Sequence, residues 1–182
     1  MVRANVYLVR HGETPTTGKV LPGRAPGLHL SARGREQAKE VAAQFSDVHA
    51  VYCSPLERTR ETAAPLCEKF GLEPVLCDGI LEADFGSWTG ASLQELSALP
   101  EWKVVQQRPS EFRFPGGESF AEMQARVVGA LEEIVRRHPG ETVVCFSHAD
   151  PIKAALTHYA GKPLDEFQRA KAAPGSVTRV QL

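Results

Sequence analysis

Two histidines, two arginines and one glutamate stand just beyond the ends of apolar runs. Arg10-His11-Gly12 closes the run Val6-Tyr7-Leu8-Val9, and Ser147-His148 closes the run that starts at Thr142. Arg58, with Arg60 nearby, follows Ala50-Val51-Tyr52-Cys53 across a short turn; Glu82 follows the weaker stretch Glu73 to Cys77. If these runs are strands of one parallel sheet, the side chains converge on its carboxyl edge, where open α/β sheets bind ligands. Taken singly, each has an ordinary reading. His11 could be a solvated turn residue, and Arg10 an edge charge paired with Glu13. Arg58 could be an exposed helix residue, Glu82 part of a charged loop with Asp84, and His148 a core or capping histidine. Together they suit one chemistry. Guanidinium forks match the oxygens of a tetrahedral dianion. An imidazole amid that positive charge stays neutral and can attack phosphorus, while a carboxylic acid can protonate the leaving alkoxide. The cage itself meets the charge of the transferring group, so the pattern asks for no metal.

The elements that must position these groups alternate in type. Val6–Val9 reads as a strand, and Ser31 opens a helix with Ala38, Val41, Ala42 and Phe45 inward. After strand 50–53, Ser54-Pro55-Leu56-Glu57 reads as a helix start with Ser54 as N-cap, Pro55 first in the helix and Glu57 third. That helix carries Leu56, Ala63, Leu66, Cys67 and Phe70 on one stripe and stops at Gly71. Glu73–Cys77 is a third strand. Ser119-Phe120-Ala121-Glu122 is a capping box opening a helix with Phe120, Met123, Val127, Leu131 and Ile134 inward. Thr142–Ser147 is the most hydrophobic strand; Asp150-Pro151 caps the next helix, which ends near Gly161, and Ser176–Leu182 is a last strand. This alternation predicts an α/β sandwich with a mostly parallel sheet. Two stretches break the rhythm: a Gly- and Pro-rich loop over 14–30, and a lid-like excursion over about 86–117 with Trp88, Trp102 and two short helical patches.

Composition bounds the rest. The 182 residues, 42% hydrophobic and 24% charged, predict a single domain over 1–182 with a real core rather than disorder. Twenty-one Lys and Arg against 22 Asp and Glu leave a formal net charge of −1, so no overall basic field exists to hold nucleic acid or an anionic membrane. No apolar run approaches the ~20 residues of a membrane span. The opening MVRANVYLVRH reads as a strand and lacks a signal-peptide cleavage site, so a cytoplasmic location is expected. The four cysteines are widely spaced, without a CxxC pair; Cys53 and Cys145 lie in apolar runs and read as buried thiols. His29, His49, His138 and His158 show no i,i+4 metal spacing.

The ordered motifs resemble those of the histidine phosphatase superfamily, also called phosphoglycerate mutase-like. Val9-Arg10-His11-Gly12-Glu13-Thr14 is similar to its RHGE-type signature, and Leu30-Ser31 with Gly34-Arg35-Glu36-Gln37-Ala38 to its first helix. Ser54 to Ala63 resembles its second arginine motif, and Glu82 to Gly90 its acid-bearing loop. Phe114-Pro115-Gly116-Gly117-Glu118-Ser119 is similar to a segment of its phosphatase branches, and Ser147-His148 fills its last motif. The resemblance spans essentially the whole chain. It implies a phosphohistidine on His11, phosphoryl binding by Arg10, Arg58 and His148, and general acid catalysis by Glu82. It also implies a three-layer α/β/α sandwich with one antiparallel edge strand, acting on a small phosphomonoester without metal or organic cofactor.

Two positions depart from the pattern. Thr17 stands where many relatives carry an asparagine that assists the phosphate; its hydroxyl is a weaker substitute. Ala149-Asp150 follows His148 where relatives often carry small or neutral residues. With Pro151 next, Asp150 reads as a helix N-cap in preference to a substrate contact, and a carboxylate facing the pocket would disfavour acidic substrates such as phosphoglycerates. Trp88, with Phe85 and Trp102, either lines the far half of the pocket or packs the lid. Three functions remain in order of preference: phosphomonoester hydrolysis, mutase-type transfer, and phospho-ligand binding without catalysis. Between Gly90 and Gly117 only Lys103, Arg108 and Arg113 are basic and none are adjacent, which favours hydrolysis over a mutase's basic lid. Sugar phosphates, nucleotides, α-ribazole phosphate and phosphoproteins all suit such a reactive centre. No long apolar stripe is left over to indicate an oligomer.

Overall fold

The computed structural model describes residues 3–182; Met1 and Val2, part of the opening stretch read as strand, lie outside them. Five strands form one sheet: β1 (Asn5–Arg10), β2 (Ala50–Cys53), β3 (Val75–Leu76), β4 (Thr142–Ser147) and β5 (Val177–Gln181). Their order is β3-β2-β4-β1-β5, with every pairing parallel except β1 with β5, so one edge is antiparallel. β1 through β4 therefore end on the same side, and Arg10 lies directly opposite Ser147. That register brings the two histidine-bearing turns together.

Side chains alternate across the sheet, because successive residues of a strand point to opposite faces. Val9, Val51, Cys53, Val144 and Phe146 face α1 (Ala32–Ala43) and α2 (Glu57–Phe70), burying Val41, Ala63 and Leu66. Val6, Leu8, Tyr52, Val143 and Cys145 face α5 (Phe120–Arg137) and α6 (Ala149–Tyr159), burying Met123, Val127, Leu131 and Ile152. The three layers follow from this two-sided burial. The expected inward stripe of α5 is buried throughout, each side chain contributing roughly 1.5–3 kcal/mol. Its capping box is present with both reciprocal bonds, Ser119 to the Glu122 amide and Glu122 back to the Ser119 amide.

Three expected element starts or lengths differ. α2 begins at Glu57 rather than Pro55, and Ser54 is not its N-cap. The Ser54 hydroxyl is engaged by His148 instead, at 2.8 Å, and Thr59 ties the turn by donating to the carbonyls of Ser54 and Leu56. α6 begins at Ala149, with His148 in the cap position, so Asp150 sits inside the first turn and does not cap it. The third strand shrinks to Val75–Leu76, an exposed edge with one neighbour.

The excursion after Gly86 holds α3 (Leu93–Ser97) and α4 (Glu101–Gln107) and folds back over the 14–30 loop. A bridge between Val20 and Ser92, flanked by bonds joining Leu21 to Gly90 and Ala91, zips the two together. Among the described residues no helix is long and apolar enough to cross a membrane.

The turn after β1 meets the start of α1 with no room to spare. A Cβ added to Gly12 would lie 2.5 Å from the Gly34 carbonyl oxygen, and one on Gly34 would strike the Glu13 carbonyl. Glycine at both positions lets α1 approach the His11 turn. Gly34→Ala is expected to cost about 1–3 kcal/mol as overpacking and to lower activity by shifting that turn; urea unfolding with a parallel activity measurement checks it.

Candidate active site

His11 leaves the end of β1 with 5% of its surface exposed, and its amide donates to the Ser147 carbonyl. Its Nδ1 lies 2.7 Å from the Gly12 carbonyl oxygen. A carbonyl can only accept, so Nδ1 carries the proton and Nε2 keeps its lone pair. Burial, then the charge of Arg58 and more weakly Arg10, pull its pKa down to about 3. The ring is neutral near pH 7. The sequence attributed this to surrounding charge; burial is the larger cause.

Arg58 is not an exposed helix residue. It has no exposed surface, donates from Nη2 to the Gly23 carbonyl at 2.7 Å, and has no partner for Nε or Nη1. Burial lowers its pKa, opposed by Glu82. Unpartnered N–H groups on a buried cation cost free energy, which a bound anion would recover. Arg10 likewise donates once, Nη1 to the Ala172 carbonyl at 2.9 Å, and leaves Nε without a partner. It forms no pair with Glu13, whose carboxylate instead accepts from Ser31.

His148 is fully buried, its ring centroid 5.3 Å from that of His11. Nε2 meets Ser54 Oγ, whereas Nδ1 is without a hydrogen bond and points at Glu82 Oε2, 3.7 Å away. Burial, then His11 and Arg58, hold its pKa well below the ordinary value, so this contact is not an ion pair near neutral pH. Glu82 is 6% exposed; burial raises its pKa, and Asp150 raises it further. Its carboxyl is thereby biased toward the protonated form. Arg24 holds the Glu82 carbonyl at 2.8 Å, while Arg126 binds Glu118 through two bonds and also donates to the carbonyls of Gly79 and Leu81. Ser147 pins the same loop by donating to the Ile80 carbonyl at 2.6 Å.

A cavity of about 180 Å³ opens on this cluster, lined by Arg10, His11, Glu82, Asp150, Thr14, Thr16, Thr17, Phe85 and neighbouring backbone. Arg58 and His148 do not line it; they stand buried against His11 and Glu82. Thr17 does line it, but its Oγ1 already accepts from the Thr14 amide at 2.9 Å. Trp88 does not reach the cavity. It is buried in an aromatic cluster with Trp102, Phe112 and Phe114, at centroid distances of 6.4, 5.3 and 5.6 Å. Arg60 is exposed on α2. His29 pairs with Glu61, and His138 bridges Tyr52 and Glu141, so both have structural partners.

Sequence reasoning missed Ser54 and the threonines Thr14 and Thr16, and it ranked a capping role for Asp150 above the place that residue takes in the cavity wall. Ser54 carries the same signal as the others, since it directly follows a strand. The hydroxyl cluster has no such signal, because the 14–30 loop is positioned by its bridge to the excursion.

A family model described as the histidine phosphatase superfamily (branch 1) matches residues 6–182. Phosphoserine phosphatase 1 of Hydrogenobacter thermophilus is 39% identical over 89% of this chain and 79% of its own. Phosphoglycerate mutase-like protein 4 of Arabidopsis thaliana is 34% identical over 83% and 69%. Among solved structures, the phosphoserine phosphatase of Entamoeba histolytica with 3-phosphoglyceric acid bound is 26% identical, with a TM-score of 0.84 over 97% of this chain and 89% of that one. A mycobacterial glucosyl-3-phosphoglycerate phosphatase, 24% identical, shares the fold with a TM-score of 0.88 over 100% and 91%. A five-stranded phosphoglycerate mutase-like sandwich, matched along nearly its full length by one family, makes this chain a member of the histidine phosphatase superfamily.

Proposed function

We propose that the protein hydrolyses small phosphomonoesters through a phosphohistidine on Nε2 of His11. The carrying observation is the pairing of a neutral, Nδ1-anchored imidazole with buried guanidinium N–H groups that have no partner. In the first step Nε2 attacks phosphorus, the P–O bond to the alcohol breaks, and the Glu82 carboxyl protonates the departing alkoxide. In the second step water attacks the phosphohistidine. Glu82, now a carboxylate, takes a water proton; the P–N bond breaks and inorganic phosphate leaves. Arg10, Arg58 and His148 supply donors to the phosphoryl oxygens throughout. Alone, phosphate monoesters hydrolyse so slowly that enzymes reach accelerations of up to ~10²¹-fold, which requires nucleophile, acid and cage together.

Hydrolysis is favoured over mutase transfer by the basic residues of the excursion. Arg108 pairs with Glu111 and Arg113 with Glu122, both at the surface, and neither lines the cavity. A relative acts on phosphoserine, which makes that ester an early one to assay, beside p-nitrophenyl phosphate. Release of phosphate by the parent protein tests the proposal; a protein that binds phosphate and releases none from any ester would refute it.

Arg58 gives an independent check, because it opposes stability and serves binding. Arg58→Met removes a buried, half-partnered cation, so the thermal midpoint without ligand should hold or rise. The upward shift produced by inorganic phosphate should disappear, and kcat/KM should fall by about 10²–10³-fold. A midpoint that still climbs with phosphate as in the parent would show that Arg58 holds no phosphoryl oxygen.

A further inference from the structure

Asp150 lines the cavity beside Arg10 and Glu82, and among the described residues no hydrogen bond or ion pair engages its carboxylate. The capping role that would explain an aspartate before Pro151 is absent, since His148 occupies that position. The nearby cations are committed elsewhere. Arg10 donates to the Ala172 carbonyl, while Lys153 donates to Gln168 at 2.7 Å and lies 4.5 Å from the Phe167 ring centre. A carboxylate held partly out of water without a partner is unfavourable until something neutralises it. The charges of Lys153 and Arg10 offset part of that cost without bonding to the carboxylate, and the neighbouring cavity walls, the threonines Thr14, Thr16 and Thr17 and apolar Leu21, Phe85 and Leu93, leave it without a hydrogen-bond partner.

We infer that Asp150 is a specificity-determining residue that accepts a hydrogen bond from a protonated amine on the alcohol part of the ester and turns away a carboxylate placed there. The inference rests on the phosphoryl site proposed at His11 and adds the chemistry of the substrate's other end. An ammonium makes the stronger, charge-assisted bond; a hydroxyl makes a weaker one; a second carboxylate repels.

Three esters of matched size separate these cases: O-phosphoethanolamine, 2-hydroxyethyl phosphate and phosphoglycolate, which present an ammonium, a hydroxyl and a carboxylate. Their dissociation constants are measured by calorimetry on the His11→Ala protein, where no turnover interferes, with Asp150 kept or changed to Asn or Lys. With Asp150 present the amine ester should bind at least about tenfold more tightly than the carboxylate ester, the hydroxyl ester falling between. Asp150→Asn should bring all three close together, and Asp150→Lys should reverse the order. An unchanged order in Asp150→Asn, a carboxylate preference in the parent background, or no binding of any ester would overturn the inference. The measurement does not depend on catalysis. A parent protein that fails to cleave p-nitrophenyl phosphate would defeat the proposed reaction, while the three constants would still decide the role of Asp150.

Discussion

Replacement of His11 by alanine is expected to lower kcat on every phosphomonoester by on the order of 10⁴-fold or more, the scale seen when a nucleophile is removed. The neutral ring is the only group in the cavity with a free lone pair aligned by an anchored opposite nitrogen. Neither Glu82, biased toward its protonated form, nor the buried guanidinium groups can replace it. Rapid quenching in alkaline denaturant, which preserves the acid-labile P–N bond, should trap label from a ³²P-labelled ester on the parent protein and none on the variant. Because a buried ring is being removed, His11→Gln should be tested beside it, with thermal midpoints to confirm folding. It retains most of the volume and should be equally inactive. Full turnover in either folded variant would end the phosphohistidine account.

Glu82→Gln should separate substrates by their leaving groups. An alkyl alcohol departs as a strong base and needs a proton, so its rate should fall by about 10²–10⁴-fold, the usual contribution of a general acid. The p-nitrophenolate ion needs little help, and its first step should fall far less. The pH profile provides the second half of this prediction. Burial, then Asp150, raise the Glu82 pKa, so the competent protonated form persists to higher pH than for an ordinary glutamate. Rates on alkyl esters should decline as pH rises through that raised value, and the limb should vanish in Glu82→Gln. At the acid end, His11 stays neutral down to a pKa of about 3, so its own protonation should not limit the free enzyme above pH 4. Equal losses for both substrates in the first step, read from the burst of alcohol or p-nitrophenolate release, would assign Glu82 to binding rather than to protonation of the leaving group.

Both helix starts that differ from the local signals are decided by the geometry of the site. Ser54-Pro55-Leu56-Glu57 satisfies every local rule for a cap, and a cap contributes typically ~1 kcal/mol. Leaving a buried imidazole nitrogen of His148 unpaired would cost about 1–3 kcal/mol, so the long-range bond to Ser54 takes precedence. Residue 148 is 94 positions away and invisible to a four-residue window. Asp150-Pro151 fails for a related reason: the turn after β4 starts the helix one residue before the aspartate and carries its carboxylate to the cavity. The sequence of the excursion allows Trp88 either role, pocket wall or lid core, and Phe112 and Phe114, which arrive from beyond α4 and pack against it, place it in the lid core.

Strand and helix periodicity, read along the chain, is enough to predict an α/β sandwich with a mostly parallel sheet, and the polar residues following each strand are enough to group His11, Arg10, Arg58, Glu82 and His148, with Arg60 beside them. Those inferences are local: alternation of burial and position at a strand's end follow from a few neighbouring residues. Which of their nitrogens are free, how far burial moves their pKa values, and where Asp150 and Trp88 point came only with the folded chain. Such properties depend on partners from distant segments and on how completely those segments exclude water, and no short stretch of sequence contains either.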